Sequence, residues 1–131
     1  AAALGAGTHG STYGGHPVAC AAALASVSEI LDNHLSENAK EVGAYFVEKL
    51  AKLPHVVEAR GRGLLVGCEY DIPIAMDVKW NTFKRHALIT AIGDNINRMI
   101  PPLTATKEDV DQVVEIMKAA IEEAVKKAQA A

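Results

Sequence analysis

The stretch Gly7-Thr8-His9-Gly10-Ser11-Thr12-Tyr13-Gly14-Gly15-His16-Pro17 concentrates groups that could hold an anion. Its glycines let the backbone come close to a ligand, because no Cβ stands in the way. Ser11 and Thr12 add hydroxyl donors. Pro17 suits the first turn of a helix, where its missing N–H costs nothing. An apolar helical run, Val18-Ala19-Cys20-Ala21-Ala22-Ala23-Leu24, follows at once. A glycine loop that feeds a helix N-terminus is an anion-binding arrangement, since free N–H groups and the helix dipole both face the ligand.

Several readings of this loop compete. Gly5-Ala6-Gly7-Thr8-His9-Gly10 spells G-x-G-x-x-G, but that dinucleotide fingerprint needs a strand before it and a helix opening at its last glycine. Here only four residues precede it, and the helix starts near Pro17. A P-loop fails, because no Lys-Ser or Lys-Thr pair follows the glycines. A bare glycine-rich surface loop with no ligand stays open on composition. So does a turn in which Ser11 and Thr12 bond only to their own backbone.

A second candidate is Arg98. Strand alternation over Asn95–Ile100 puts it on the same face as Ile96 and Ile100. A charge on an apolar face needs a carboxylate or an opening to solvent. An exposed edge-strand arginine is the plain alternative. His9 and His16 have no neighbouring carboxylate or cysteine, and are expected to bond backbone groups. No metal-ligating cluster is apparent. Arg60 and Arg62 flank a glycine turn and read as hairpin-surface or domain-interface charges. Trp80 and Phe83 are expected in the core and offer no base-stacking platform.

The elements that would position these residues follow from periodicity. A first helix is predicted from Pro17 to His34. It is apolar all round to Ala25 and amphipathic after Ser26, with Val27, Ile30 and Leu31 inward. A helix with no polar face is buried on every side, so another domain or subunit is expected to cover it. Ser36 is the expected N-cap of a second helix, with Ala39, Val42, Phe46, Leu50 and Leu53 inward and Pro54 ending it. Strands are predicted at Val56–Arg60 and Leu64–Tyr70, joined through Gly61-Arg62-Gly63, with Leu64, Val66, Cys68 and Tyr70 on one face. Met76, Trp80, Phe83 and Ala87 mark one face of a short helix. Leu88–Ile92 and Asn95–Ile100 form a second strand pair turning at Gly93-Asp94. A last helix starts after Thr106, whose spacing to Asp109 suggests a capping box. Its inward stripe is Val110, Val113, Val114, Met117, Ile121, Ala124 and Val125. Glu122 with Lys126, and Glu123 with Lys127, are placed as i,i+4 pairs. This order predicts an α+β fold, with helices packed on a small, mainly antiparallel sheet.

Composition narrows the function. The 131 residues fit one modest domain, and 50% hydrophobic with 22% charged residues describes a globular chain. A net charge of −3 leaves no basic footprint for nucleic acid. No apolar run is long enough to span a membrane, and no secretory leader is recognisable. Cys20 and Cys68 lack ligand spacing and read as small buried residues in a reducing, cytoplasmic setting, with no disulfide expected.

Three segments, in order, resemble the class III pyridoxal-phosphate aminotransferases, nearest to the acetylornithine and ornithine aminotransferase branch. They are the loop from His9 to Gly15 with Pro17 and the Ala-rich helix, the Arg60-Gly61-Arg62-Gly63-Leu64 hairpin, and Arg98-Met99-Ile100-Pro101-Pro102-Leu103. The resemblance runs from about Gly7 onward. Two positions depart from it: the family usually has Asn where this chain has His16, and an aliphatic residue where it has Asn97.

The resemblance implies the C-terminal small domain of a fold-type I aminotransferase. Residues 1–16 would then be a cofactor-phosphate loop at the end of the large domain, and residues 17–131 the small domain. It implies pyridoxal 5′-phosphate, a homodimer, and small amino and oxo acids as substrates. Thr12, with Ser11 beside it, would donate to the cofactor phosphate of the neighbouring subunit. Arg98 would hold a carboxylate, of the substrate or of a glutamate in the large domain. The family's Schiff-base lysine lies upstream of the loop, whereas the first lysine here is Lys40. No catalytic residue is therefore expected within this chain, and it alone would be inactive. The reaction implied is amino transfer between acetylornithine, or a related ω-amino donor, and 2-oxoglutarate. Ornithine or 4-aminobutyrate enzymes, a non-catalytic anion-binding domain and a protein-interaction domain remain alternatives.

Overall fold

The structure is a computed structural model that describes residue 3 and residues 5–130. Compactness divides the chain into two units, Ala1–Leu35 and Ser36–Ala131.

The first unit holds the glycine loop and helix α1, Pro17–Asp32. Pro17 occupies its first turn, and Cys20 N–H donates to His16 O at 2.9 Å. No residue of α1 is buried. Val27 and Leu31, expected inward, are exposed, and Cys20, expected buried, is exposed as well. The helix offers apolar side chains on every side, and of those expected inward only Ile30 is half-buried.

The second unit starts within α2, Leu35–Leu50. The helix begins one residue before Ser36, so Ser36 lies in its first turn and is not its cap. His34 takes a positive φ of 52° just ahead of it, which turns the chain into the helix already at Leu35. The expected stripe Ala39, Val42, Phe46, Leu50 and Leu53 is buried, Leu53 lying past the helix end.

Strands β1 (Val56–Arg62), β2 (Leu65–Tyr70), β3 (Thr90–Ile92) and β4 (Ile96–Met99) form one sheet in the order β1-β2-β4-β3, antiparallel throughout. Strand β1 runs two residues further than expected, through Gly61. The turn is made by Gly63 and Leu64, because Arg62 already pairs with Leu65. Gly63 has φ 55°, the positive angle that a two-residue II′ turn requires at its first central position. A Cβ at Gly61 would lie 2.7 Å from Leu65 O, so the hairpin closes tightly only around glycine. The second hairpin is shorter than expected at both ends. Leu88 and Ile89 precede the pairing, and Pro101-Pro102 stops it by removing backbone donors. Its turn is pinned to β2: Asn95 Nδ2 donates to Tyr70 O at 3.0 Å, and Tyr70 N–H donates to Asn95 O at 2.8 Å.

Helix α3, Ala75–Phe83, turns the other way from the expectation. Met76, Trp80 and Phe83 are exposed, Trp80 and Phe83 meeting edge to face with ring centroids 5.9 Å apart. Ala75, Val78, Asn81 and Thr82 are buried instead. The two polar ones are satisfied inside. Asn81 Nδ2 donates to Ala120 O of the last helix at 3.2 Å, and Thr82 Oγ1 donates to Lys79 O at 2.9 Å. Small side chains bring the two helices close, and the aromatic ones are left outside.

Helix α4, Lys107–Gln129, carries the expected capping box. Asp109 N–H donates to Thr106 Oγ1 at 3.2 Å, while Thr106 N–H donates to Asp109 Oδ2 at 2.9 Å. Its buried residues are Val110, Val114, Met117, Ala120, Ile121 and Ala124. The expected i,i+4 ion pairs are replaced by longer-range ones: Glu123 takes Arg85 at 2.8 Å and Lys127 takes Asp77 at 2.6 Å.

Helices α2, α3 and α4 thus share one core with a single face of the sheet, made of Val66, Cys68, Tyr70, Asn97 and Met99. This is the α+β layering expected. The other sheet face is open and carries Arg60, Leu65, Gly67, Ile96 and Arg98.

Candidate functional site: a glycine loop and an open sheet face

The loop of the first unit is held by few internal bonds. Thr8 donates to Gly5 O through both its N–H, at 3.2 Å, and its hydroxyl, at 2.6 Å. His16 N–H donates to Tyr13 O at 3.2 Å. Gly7 and Gly15 have φ of 82° and 78°, angles that other residues rarely take. A Cβ added at Gly7, Gly10 or Gly15 would meet nothing within 4 Å.

Ser11 and Thr12 are exposed, and neither hydroxyl bonds to a described residue. Their hydroxyls are therefore uncommitted, unlike that of Thr8. His9 and His16 are exposed too, and their rings make no bond to a described backbone group, in contrast to the expectation. Two free hydroxyls beside accessible glycine backbone, just ahead of a helix N-terminus, fit a phosphate.

In the second unit, Arg98 is exposed on the open sheet face between Gly67 of β2 and Thr90 of β3. Its face is the one expected, shared with Ile96 and Ile100, and it meets its need for solvation by opening to water. No described carboxylate pairs with it. Gly67, which no motif reading picks out, removes the side chain that would stand beside Arg98. Only the strand register could have found it.

Arg60, two residues before Arg62 on β1, is differently placed. It bridges Glu58 and Glu69, each at 2.9 Å, and these partners raise its pKa, the Glu69 hydrogen bond most. Its charge is locally neutralised.

Beneath Arg98, on the buried face, stands a polar chain that sequence reasoning missed. Asn97 is fully buried. Its Oδ1 accepts from Tyr70 Oη–H at 2.8 Å. Its Nδ2 donates to Ala75 O of α3 at 3.0 Å, and reaches Thr90 O of β3 at 3.4 Å. Cys68 Sγ lies 3.4 Å from the same phenol. Burial pushes the Cys68 thiol and the Tyr70 phenol up, so both stay protonated. One amide thereby joins β2, β3 and α3 to β4. The departure from an aliphatic residue at 97 was the available signal.

Among the described residues, no helix is long and apolar enough to cross a membrane, and no cluster of three or more His, Cys, Asp or Glu could hold a metal.

Residues 1–121 match the family model described as aminotransferase class-III. The chain is 46% identical over 121 residues to the acetylornithine aminotransferase of Methanosarcina acetivorans, an alignment covering 89% of this chain and 30% of that protein. It is 38% identical over 117 residues to the ornithine aminotransferase of a Geobacillus species, covering 86% and 28%. Its fold superposes on the ornithine aminotransferase of Toxoplasma gondii, a structure with partial occupancy of PLP at the active site. The TM-score is 0.81 at 31% identity, over 98% of this chain and 32% of that one. The chain thus spans about 30% of the length of the curated relatives it matches.

Proposed function

The chain belongs to the class III aminotransferases, and we propose that it is the C-terminal part of a pyridoxal-phosphate enzyme. That enzyme moves an amino group between N-acetylornithine, or a related ω-amino donor, and 2-oxoglutarate. The observation that carries this reading is the continuous match over residues 1–121, with 46% identity to an acetylornithine aminotransferase. On this reading residues 1–16 close the large domain and residues 17–131 form the small one.

The cofactor, when bound, supplies the electron sink, and the protein supplies orientation and electrostatics. Ser11 and Thr12 donate hydroxyl hydrogen bonds to its phosphate, across the interface of a homodimer. The accessible backbone around Gly10 and the first turn of α1 add donors of the same sign. Arg98 holds a substrate carboxylate with two parallel N–H donors, which fixes direction as well as distance. Arg60 stays out of this role, because Glu58 and Glu69 already occupy it. Lys40, the first lysine, lies on α2 beyond the loop, so it does not match the family's cofactor lysine, which would lie upstream of the loop.

The test uses the intact protein, loaded with cofactor and 2-oxoglutarate, and offered N-acetylornithine, ornithine or 4-aminobutyrate. Glutamate formation is measured. The expected order has N-acetylornithine at the highest kcat/KM, and the 131-residue chain alone gives no turnover above free cofactor. Absence of glutamate from every donor, with cofactor shown to be bound, would overturn the reading.

A further inference from the structure

We propose that His16 is a third side-chain ligand of the cofactor phosphate, beside Ser11 and Thr12. Its ring N–H donates to a phosphate oxygen ahead of helix α1. This rests on the reading of the glycine loop as the cofactor-phosphate loop.

The loop folds His16 back toward the two hydroxyls. His16 N–H donates to Tyr13 O at 3.2 Å, and Gly15, just before His16, has φ 78°. A positive angle at the third residue of a four-residue turn marks type II, whose end Cα atoms lie within about 7 Å of each other. Tyr13, one end of that turn, follows Thr12 directly. The turn also lies against Ser11. A Cβ at Gly14 would come to 3.2 Å from Ser11 Cβ and 3.4 Å from Ser11 Oγ. Ser11, Thr12 and His16 therefore border one turn, and the glycines at 14 and 15 put no side chain between them.

Helix α1 gives the His16 side chain no task of its own. His16 is the N-cap, with φ −60° and ψ 130°, yet its side chain makes no capping bond. Capping needs a side-chain oxygen, as in Ser, Thr, Asp or Asn, to take an N–H of the first turn, and histidine has none. An imidazolium at this place would face the positive end of the helix dipole, and no acidic residue lies in the first turn of α1 to offset it. Among the described residues the ring has no hydrogen-bond partner, and it is exposed. A phosphate dianion answers each point. Imidazole offers it an N–H donor in either charge state. The dianion in turn offsets the positive helix end.

The test uses the intact protein loaded with pyridoxal phosphate or with pyridoxal, which lacks the phosphate. Dissociation of each after dilution is followed by absorbance. Losing a hydrogen bond to a charged group weakens binding by about ten- to a hundredfold. His16→Ala and His16→Asn are therefore expected to speed loss of pyridoxal phosphate by that factor, and to leave pyridoxal within about twofold. His16→Gln should fall between, because it keeps an N–H donor on a side chain of similar reach. Asparagine is a good cap, so the apo form of His16→Asn should melt no lower than the parent. Loss of one function with gain of the other separates phosphate binding from support of the helix. The proposal is overturned if His16→Ala speeds loss of both ligands alike, which would mark a change in loop shape. It is equally overturned if neither ligand is affected, which would mark a solvated histidine. Thr12→Val distinguishes the two layers of the argument. If it releases pyridoxal phosphate faster while His16→Ala does not, His16 leaves the site and the loop reading stands. If it too has no effect, the loop reading itself falls.

Discussion

Replacing Asn97 with leucine should cost more stability than its small change of shape suggests, and the cost should be less than additive when Tyr70 is changed with it. Asn97 Oδ1 is the acceptor for the Tyr70 phenol at 2.8 Å, and Nδ2 donates to Ala75 O at 3.0 Å. Both side chains are buried, at 0% and 2% exposure, so water cannot replace a lost partner. Two hydrogen bonds at about 1 kcal/mol each, plus about 1–3 kcal/mol for a phenol left without an acceptor, set the gross loss. The greater apolar burial of leucine offsets part of it. The net expectation is a loss of about 2–4 kcal/mol for Asn97→Leu. Tyr70→Phe strands the amide oxygen in turn, at about 1–3 kcal/mol. The double variant strands neither group of the pair, so its loss should fall below the sum of the singles by about 1–2 kcal/mol. Urea unfolding followed by fluorescence reports this, because the single tryptophan, Trp80, lies on the helix whose first carbonyl Asn97 holds. Additivity of the two substitutions within about 0.5 kcal/mol would refute a coupled network. It would leave Asn97 as a packing residue only.

Gly43→Ala should destabilise by about 1–3 kcal/mol despite alanine's better helix propensity. The new Cβ would run into Gly63 O, a backbone atom of the β1–β2 turn, and thermal melting reads the loss. Thr12→Val in the intact protein should speed cofactor dissociation by about ten- to a hundredfold at unchanged apo stability; an unchanged rate would reduce Thr12 to a turn residue. Arg98→Lys should raise KM strongly for at least one amino or oxo acid, since lysine keeps the charge and loses the fork; steady-state kinetics within about twofold of the parent would remove Arg98 from the site. Stability should also fall on the alkaline side. Burial holds the Cys68 thiol and the Tyr70 phenol above their ordinary values of 9.0 and 10.0, so above those values the folded chain keeps protons that the unfolded chain gives up. The stabilisation is complete below about pH 9 and is lost as pH rises, at up to about 1.4 kcal/mol per pH unit for each group. Urea midpoints from pH 7 to 11 would show this, with Tyr70→Phe flattening the upper part.

Where structure follows from neighbours in sequence, the chain is legible without coordinates. Helix α4 is such a case. Its capping box closes over four residues and its buried stripe repeats every turn. Strand β2 is another, with Val66, Cys68 and Tyr70 buried in strict alternation. Helix α3 fails the same test for a physical reason. Side-chain type marks Met76, Trp80 and Phe83 as inward, yet burial is decided by fit and by satisfied polar groups. Asn81 can go inside because Ala120 O, thirty-nine residues on, accepts its amide. No local pattern contains that partner. The ion pairs behave alike: Glu123 has a lysine four residues away and takes Arg85 from the turn after α3.

The two candidate binding elements, each in its own unit, divide along the same line. Ser11 and Thr12 stand out in sequence because a glycine loop, two hydroxyls and a helix start are all local, and the structure leaves those hydroxyls uncommitted among the described residues. Arg98 is legible as to face, since alternation alone groups it with Ile96 and Ile100. Alternation does not say which face is core. Side-chain type favours burying Ile96 and Ile100, and the sheet instead buries Asn97 and Met99. A buried amide is tolerable only if its polar atoms are matched, and here Tyr70, Ala75 and Thr90 match them from three elements. Those partners turn β4 so that Arg98 faces outward, over Gly67. The face on which Arg98 stands is therefore set by hydrogen bonds made on the opposite side of the same strand.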